Sequence, residues 1–396
     1  MFADPTDLRL AFSHALSEMY RAEVPAYGAL LDIVSEINGE EIEGADAGAR
    51  LAEERHGAIR VGTAEELNAV ARIFALMGLE PVGYYDLGAA GLPVHSTAFR
   101  PVTDAGLEAC PFRVFTSLLR LDAIADAELR DTARDTLAGR RILSEPAREQ
   151  LERAEAAGGV RDADAFVAAV LDTFRWHARA RVAEPTYRAL LKVSGLVADI
   201  VSFPGPHINH LTPRVADIDA AHAAMGARGL DTKAAIEGPP RRRCPVLLRQ
   251  TAFRALGETV VFADGVEGTH TARFGEIESR GAALTPVGMT AYERAMADGD
   301  WERLPDSWDA LRADGLVYWG RDAALTYEDF LPVSAAGIFR SNLAETPGEA
   351  APPEATPPEA VSPLGDKPDG RAAFEAALGR PVVDRFGWYE SQAHRT

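Results

Sequence analysis

A histidine-led motif occurs twice in the chain, and this repetition limits the possible folds more than any other feature. HGAIRVGT begins at His56 and HLTPRVAD begins at His210, and each places Arg-Val after three intervening residues. Two further segments, VPAYGALL from residue 24 and EPTYRALL from residue 184, match each other at a similar spacing. Two independent matches at nearly one offset indicate an internal duplication.

Each copy of the motif is followed by the same order of predicted elements. In the first copy, Thr63 and Glu66 form a capping box that begins a helix, and Gly78 ends it. In the second copy, Asp217 is the expected helix cap and Gly229 the expected stop. Strand-like segments follow in both copies, at residues 80–87, 111–121, 244–253, 258–264 and 271–281.

The composition of the segments outside the two copies predicts how the chain is divided. Helical periodicity marks the N-terminus and the stretch between the copies, whereas residues 344–370 are rich in Pro, Ala and Glu and carry too few large apolar side chains to form a core. The predicted divisions are N-terminal helices (1–50), a first module (51–123), a helical insertion (124–200), a second module (201–343), a Pro-rich flexible segment (344–370) and a C-terminal segment that packs back (371–396).

Charge and hydropathy restrict the possible partners. The net charge of −19 makes nucleic acid or an anionic membrane surface a poor partner for this chain. No basic and apolar leader precedes the first helix, and no apolar run approaches the ~20 residues of a membrane span. We therefore expect a cytoplasmic protein. Two cysteines, Cys110 and Cys244, do not make a disulfide framework and are expected in the core.

The duplicated histidines predict a metal site. If the two modules pair, His56 and His210 meet at a shared centre, and neutral imidazoles are common metal ligands. Glu276 and Glu278 lie two apart on one strand-like segment, so they share a face and either can supply a carboxylate. Two histidines and one carboxylate with open positions are typical of non-haem Fe(II) oxygenases. The histidines without such spacing are expected to be structural or exposed, namely His14, His177, His222, His270 and His394.

Several longer motifs carry a family resemblance. HGAIR, FPGPHINHLTPRV, RCPVLLRQTAF, RFGEIESRGAALT and DFLPVSAAGIFRSNL resemble the 2-oxoadipate dioxygenase/decarboxylase family, also called the hydroxyglutarate synthase family, of the vicinal oxygen chelate superfamily. The resemblance implies an α+β fold in which two paired βαβββ modules form a curved sheet around a metal site, with added helices. It also implies a reaction of 2-oxoadipate and O₂ that gives 2-hydroxyglutarate and CO₂, in lysine breakdown.

The resemblance further implies a role for individual residues. Fe(II) would be held by His56, His210 and Glu278, with His207 and Glu276 as the alternatives for the last two. Arg60 would bind a substrate carboxylate, for which the planar guanidinium is suited. Val333 and Ser334 would line the substrate pocket beside the two histidines.

Two other functions are compatible with the same motifs. One is a redox-neutral, metal-dependent isomerase or lyase of the same superfamily, and the other is a binding protein without turnover. The partners expected for the enzyme are a small 2-oxo dicarboxylic acid and O₂, and the sequence leaves the oligomeric state open.

Overall fold

The structure, a computed structural model, describes residues 1–41, 50–330 and 368–395. Its numbered α-helices are α1 (Pro5–Glu23), α2 (Pro25–Glu41), α3 (Ala64–Leu76), α4 (Asp104–Ala109), α5 (Ala127–Ala138), α6 (Glu145–Ala157), α7 (Ala163–Leu171), α8 (Glu184–Val193), α9 (Gly195–Ser202), α10 (Ile218–Ala227), α11 (Pro286–Asp298), α12 (Trp308–Ala313), α13 (Pro368–Leu378) and α14 (Arg385–Ala393). Its numbered strands are β1 (Arg55–Val61), β2 (Glu80–Asp86), β3 (Val94–Arg100), β4 (Phe112–Leu119), β5 (His210–Pro213), β6 (Leu248–Ala252), β7 (Gly257–Val261), β8 (Glu267–Thr271) and β9 (Glu276–Arg280).

A five-stranded mixed sheet forms the centre of the molecule. Its strand order is β2-β3-β4-β1-β5, in which β1 and β4 run parallel and the other neighbours run antiparallel. The α3 helix connects β1 to β2 and the short α4 helix connects β3 to β4, so the long crossover of the parallel pair contains two helices and two strands. Helices combined with a mixed sheet place the chain in the α+β class, as predicted.

Strands from the second half of the chain extend this sheet. β5 pairs antiparallel with β1, opposing Ala58 to His210 and His56 to Thr212. A single parallel bridge between Arg214 and Glu278 then brings β9 beside the end of β5, and β9 pairs antiparallel with β6. Strands β7 and β8 form a separate hairpin. Residues of β1, β5 and β9 therefore lie side by side.

The helix that follows β1 begins and ends where the sequence predicts. The Thr63 side chain accepts a hydrogen bond from the Glu66 amide, while the Glu66 carboxylate accepts one from the Gly62 amide at 2.7 Å. The helix ends at Leu76, just before Gly78, which has a positive φ of 67°. In the same way, Asp217 caps the start of α10 and Gly229, with a positive φ, follows its end. Both predicted helix signals are therefore confirmed.

The strand predictions need two corrections. Residues 271–281 were expected to form one strand, but β8 ends at Thr271 and β9 begins only at Glu276. Because the segment contains many strand-forming residues, its composition does not reveal the irregular residues between β8 and β9. In addition, β3 (Val94–Arg100) occupies a stretch that has no strand prediction.

The two faces of β1 meet different parts of the core. Ile59 and Val61 pack in one large apolar cluster, whereas Ala58 packs in a second cluster with Phe115 and Phe330. Since alternate residues of a strand share a face, His56, Ala58 and Arg60 point towards the second cluster. The predicted site residues of β1 are therefore buried, not exposed.

The predicted domain limits stay predictions. Helices α5 to α9 occupy most of the stretch expected to be a helical insertion. The Pro-rich segment lies outside the described residues up to residue 367, and α13 begins at Pro368, shortly before its predicted end. Among the described residues, no helix combines the length and apolar character that a membrane crossing requires.

Candidate metal centre

Three buried residues from β1, β5 and β9 come together at the junction of the strands. His56, His210 and Glu276 each offer one ligand atom, and these three atoms lie within 4.8 Å of one another. The two imidazole rings are perpendicular, with centroids 5.4 Å apart. The relative exposures of these residues are 2%, 4% and 1%, so bulk water does not compete for them. Two imidazole nitrogens and a carboxylate oxygen form a ligand set suited to a divalent transition metal.

Three buried polar atoms in this group support a metal there. His56 Nδ1, His210 Nδ1 and Glu276 Oε2 make no hydrogen bond of normal geometry with another described residue. Leaving such atoms buried and unsatisfied costs about 1–3 kcal/mol each. Coordination of a cation removes that cost for an atom that faces it, so the donor set of the three residues fits a bound metal.

The charges around the histidines favour different states for the two rings. Burial lowers the pKa of His210 well below its usual range, and the positive charges of His56 and Arg60 lower it further. His210 is therefore neutral and keeps a lone pair for a metal. Burial also disfavours the charged form of His56, but Glu278 and Glu276 outweigh it, so the His56 pKa is raised.

His56 lies between the two acids of β9. Its Nε2 is 3.1 Å from Oε1 of Glu276, and its Nδ1 is 3.1 Å from Oε2 of Glu278. Glu276 Oε1 also accepts a hydrogen bond from the Thr212 hydroxyl at 3.1 Å. The two carboxylates that the strand periodicity places on one face thus contact different nitrogens of one ring.

Glu278 is held from its other side by an arginine. Arg280 donates to both carboxylate oxygens, from Nε at 2.7 Å and from Nη2 at 3.0 Å. Burial alone would raise the Glu278 pKa, but Arg280 and His56 together hold it far below its usual range. Glu278 lies outside the group of three ligand atoms. Its predicted role as a ligand stays a prediction, and Glu276 is the acid that the structure places with the histidines.

Arg280 also connects the site to the segment that precedes residue 331. It donates to the carbonyl oxygens of Tyr327 and Asp329, at 2.9 Å and 3.0 Å. Phe330 follows, and its ring lies edge-on to the His56 ring with centroids 4.8 Å apart. Val333 and Ser334, the predicted pocket residues, lie outside the described residues.

Arg60 lies on the same face of β1 as His56 and is 3% exposed. Its Nη1 donates to Oδ2 of Asp199 on α9 at 2.5 Å. The ion pair is fully buried and joins residues distant in the sequence, so Arg60 is not part of an ordinary surface pair. His207, the alternative to His210, contacts Asp199 as well, with Nε2 3.2 Å from Oδ1, and is not among the three grouped residues.

Sequence reasoning missed Asp199 and assigned His270 to a structural or exposed position. His270 is buried, and its Nε2 lies 2.9 Å from Oδ1 of Asp199. One signal could have identified the acid, because Asp199 is the single charged residue in the apolar helix GLVADIVS. A charge in a fully buried helix requires a partner. The identity of that partner depends on contacts between distant segments.

The fold and the site define an α+β protein with a buried His–His–Glu group able to hold a metal ion. The family model described as 2-oxoadipate dioxygenase/decarboxylase matches residues 12–342. A curated protein of Pseudomonas putida named 2-oxoadipate dioxygenase/decarboxylase is 46% identical, over 100% of this chain and 96% of its own length. The chain therefore belongs to the 2-oxoadipate dioxygenase/decarboxylase family.

Solved structures show the same relationship. The crystal structure of the hydroxyglutarate synthase in complex with 2-oxoadipate from Pseudomonas putida is 44% identical, with a TM-score of 0.85, covering 100% of this chain and 97% of that one. A glyoxalase superfamily protein from Ralstonia eutropha has a TM-score of 0.55 at 21% identity, covering 71% of this chain and 85% of that one. At that identity the second likeness concerns the fold alone.

Proposed function

We propose that the chain is an Fe(II)-dependent dioxygenase and decarboxylase that converts 2-oxoadipate and O₂ to 2-hydroxyglutarate and CO₂, in lysine breakdown. The observation that carries the proposal is the buried group of His56, His210 and Glu276, in a chain that belongs to this family. The reaction balances, because one atom of O₂ enters the carboxylate left by decarboxylation and the other becomes the new hydroxyl. Fe(II), when bound, supplies the site for chelation of the 2-oxo acid and the electrons for reaction with O₂.

The proposed ligands are His56, His210 and Glu276. Glu278 is proposed to accept the Nδ1–H of His56 and so to present Nε2 to the metal. Carboxylates that hold a ligating histidine in this way fix its tautomer and its orientation. Arg280, which binds both oxygens of Glu278, keeps that carboxylate ionised and in place.

Arg60 is proposed to bind the distal carboxylate of the substrate. Four residues of a strand span about 13 Å, and both Arg60 and His56 project from one face of β1. Ala58 lies between them on that face, and its small side chain leaves room for the methylene groups of the substrate. Phe115 and Phe330 pack with Ala58 and provide apolar surface. The arrangement suits a six-carbon acid with a charge at each end.

The remaining predictions from the sequence complete the proposal. The order β1-α3-β2-β3-β4 is proposed as one vicinal oxygen chelate module, and the elements from β5 to β9 as its second copy, so that the metal lies between the two. Val333 and Ser334, which lie outside the described residues, are proposed to line the substrate pocket. A cytoplasmic location is proposed from the composition and charge of the chain.

Oxygen consumption tests the proposal directly. The purified chain is loaded with Fe(II) without oxygen, mixed with 2-oxoadipate and then exposed to O₂, while oxygen uptake is recorded and products are measured by mass spectrometry. We expect one O₂ consumed for each CO₂ and 2-hydroxyglutarate formed. The His56→Ala variant, loaded in the same way, is expected to consume none.

Two outcomes would contradict the proposal. Fully loaded protein that takes up no oxygen with 2-oxoadipate would rule out this substrate. Turnover by the zinc or nickel form without oxygen uptake would instead indicate a redox-neutral reaction of the same superfamily.

A further inference from the structure

Asp199 joins a buried polar network to Arg60. It lies on α9, whose residues from Leu196 to Ser202 are all buried. Its Oδ2 accepts from Arg60, and its Oδ1 lies 2.9 Å from Nε2 of His270 and 3.2 Å from Nε2 of His207. The Asn209 side-chain amide also donates to Oδ2, at 3.5 Å. Four partners therefore contact the two oxygens of one carboxylate.

The partners of Asp199 are themselves held in place. The hydroxyl of Tyr187 on α8 is 3.0 Å from Nδ1 of His270. The indole of Trp176 stacks on the His270 ring, with centroids 5.6 Å apart and planes 10° apart, and meets the His207 ring edge-on at 4.6 Å. The network thus extends from the hairpin and α8 through α9 to the face of β1.

The charges of the network are consistent with an ionised Asp199. Burial alone would raise the Asp199 pKa, but His207 and Arg60 hold it well below its usual range. Burial lowers the pKa of His270 despite its carboxylate partner, which favours a neutral ring. Burial also raises the pKa of Tyr187 to about 12, so its hydroxyl remains a donor. The Tyr187 hydroxyl can donate to His270 Nδ1, and His270 Nε2 can then donate to Asp199 Oδ1.

We propose that Asp199 is a positioning residue that fixes the Arg60 guanidinium for the distal carboxylate of the substrate, and thereby gives the site its preference for dicarboxylic 2-oxo acids. This inference rests on the proposed function. A functional group must be held within roughly 0.5 Å and 10–20° of its working geometry by the residues behind it. A guanidinium that is already oriented loses less conformational freedom when it binds a carboxylate.

A comparison of two substrates separates positioning from general support of the fold. 2-Oxohexanoate has the same chain length as 2-oxoadipate but lacks the distal carboxylate. For Asp199→Asn we expect kcat/KM with 2-oxoadipate to fall about 10- to 100-fold, mostly through KM. With 2-oxohexanoate we expect a change of less than about twofold, because no carboxylate then reaches Arg60. Anaerobic calorimetry on the Fe(II)-loaded enzyme should give the same selective loss in Kd.

Further variants keep the inference testable if Asp199→Asn folds poorly. Asp199→Glu keeps the charge but displaces it by one methylene, and we expect the same selective loss. In an Arg60→Lys background, Asp199→Asn should produce no additional loss with 2-oxoadipate, because the fork that it orients is already gone. Asp231→Asn, which breaks an exposed ion pair with Arg254, is the matched control and should leave both substrates unaffected.

Two other outcomes of these measurements would overturn the inference. Equal losses with both acids would show that Asp199 supports the fold or the metal group and does not position Arg60. Unchanged kinetics with both acids would show that Arg60 needs no such partner. If wild-type enzyme loaded with Fe(II) does not turn over 2-oxoadipate at all, the proposed function itself has failed, and that result is recognised before any variant is made.

Discussion

The Nδ1 atom of His56 lies 3.1 Å from Oε2 of Glu278, and the same ring directs Nε2 towards Glu276. An imidazole that donates through one nitrogen must coordinate a metal through the other. Under the proposed function, in which Glu278 accepts the Nδ1–H of His56, the two acids of β9 have different tasks, although they share a face of the strand. The tight pairing of Glu278 with Arg280 supports the same division, because it occupies both carboxylate oxygens.

Removing the charge of each acid should affect metal binding to different degrees. For Glu276→Gln we expect loss of stoichiometric metal, since a ligand is lost. For Glu278→Gln we expect metal to remain at high concentration with about 10- to 100-fold weaker affinity, as for other residues that orient a ligand. Metal content after Fe(II) loading and desalting, with titration of Co(II) or Mn(II), measures both effects without any assay of activity.

An exposed acid provides the control for this pair. Glu267→Gln, at the exposed start of β8, should bind metal like the wild type. If Glu278→Gln loses its metal while Glu276→Gln keeps it, then Glu278 is the ligand, as the family resemblance implied.

Replacing the substrate arginine with lysine should separate substrate binding from metal binding. Arg60→Lys keeps the positive charge but loses the planar fork that binds a carboxylate through two hydrogen bonds. We expect KM for 2-oxoadipate to rise about 10- to 100-fold while the metal content stays the same. Steady-state oxygen uptake and metal analysis on the same preparation measure the two quantities. A parallel loss of metal would assign Arg60 a structural role.

A single methyl group on β1 should disturb the contact between the two histidine strands. A Cβ at Gly57 would lie 2.6 Å from Cδ1 of the buried Ile208 and 3.2 Å from the backbone oxygen of His210. We expect Gly57→Ala to destabilise the protein by about 1–3 kcal/mol and to weaken metal binding, because β5 must move away from β1. Urea unfolding and metal titration measure these effects.

A glycine in open surroundings serves as the control for that substitution. A Cβ at Gly226 in α10 meets nothing within 4 Å. Gly226→Ala should be neutral or stabilising by about 0.5–1 kcal/mol, because Ala is the better helix former. If Gly57→Ala is as stable as the wild type, then the strands accommodate the added methyl group without any loss of stability.

The buried ion pair of Arg100 and Asp329 should make stability depend on pH. Arg100 donates to both Asp329 oxygens, at 2.6 Å and 3.3 Å, and outweighs the effect of burial, so the Asp329 pKa is lowered. A carboxyl group with a lowered folded-state pKa stabilises the fold above its unfolded pKa, about 3.9, and this stabilisation is lost as the pH falls towards the folded-state pKa.

Replacing Asp329 should therefore reduce the stability of the fold most near neutral pH. We expect Asp329→Asn to lower the free energy of unfolding by about 3–5 kcal/mol at pH 7, with the difference from the wild type shrinking below about pH 4. Urea unfolding of both proteins between pH 7 and pH 3.5 measures it. Asp300→Asn, in an exposed pair with Arg303, should cost at most about 1 kcal/mol throughout. A constant difference at every pH would contradict the lowered pKa.

Much of the fold and two of the three residues of the metal group could be predicted from local features of the sequence. The repeated motif marks His56 and His210 as equivalent, and the structure brings them together. The helix signals at Thr63 and Asp217 are local too, since a cap depends on its own chain neighbours. Such features are visible in a sequence because distant segments do not decide them.

The choice between Glu276 and Glu278 could not be made in the same way. Strand periodicity places both on one face, and only their neighbours across the sheet distinguish them. The contact of His270 with Asp199 was not predicted for a related reason. Asp199 lies in a helix far away in the sequence, and no spacing rule links a hairpin strand to such a helix.

The positions of the three grouped residues have a consequence for when the protein acquires its metal. His56 is synthesised early, His210 follows a long helical stretch, and Glu276 emerges only after most of the chain has left the ribosome. Contacts between such distant strands form late in folding, and a complete ligand set does not exist in the unfolded chain. An ion can therefore contact all three residues only after their strands have come together. Selection between metal ions is then a property of the assembled strands, and not of any one segment as it is synthesised.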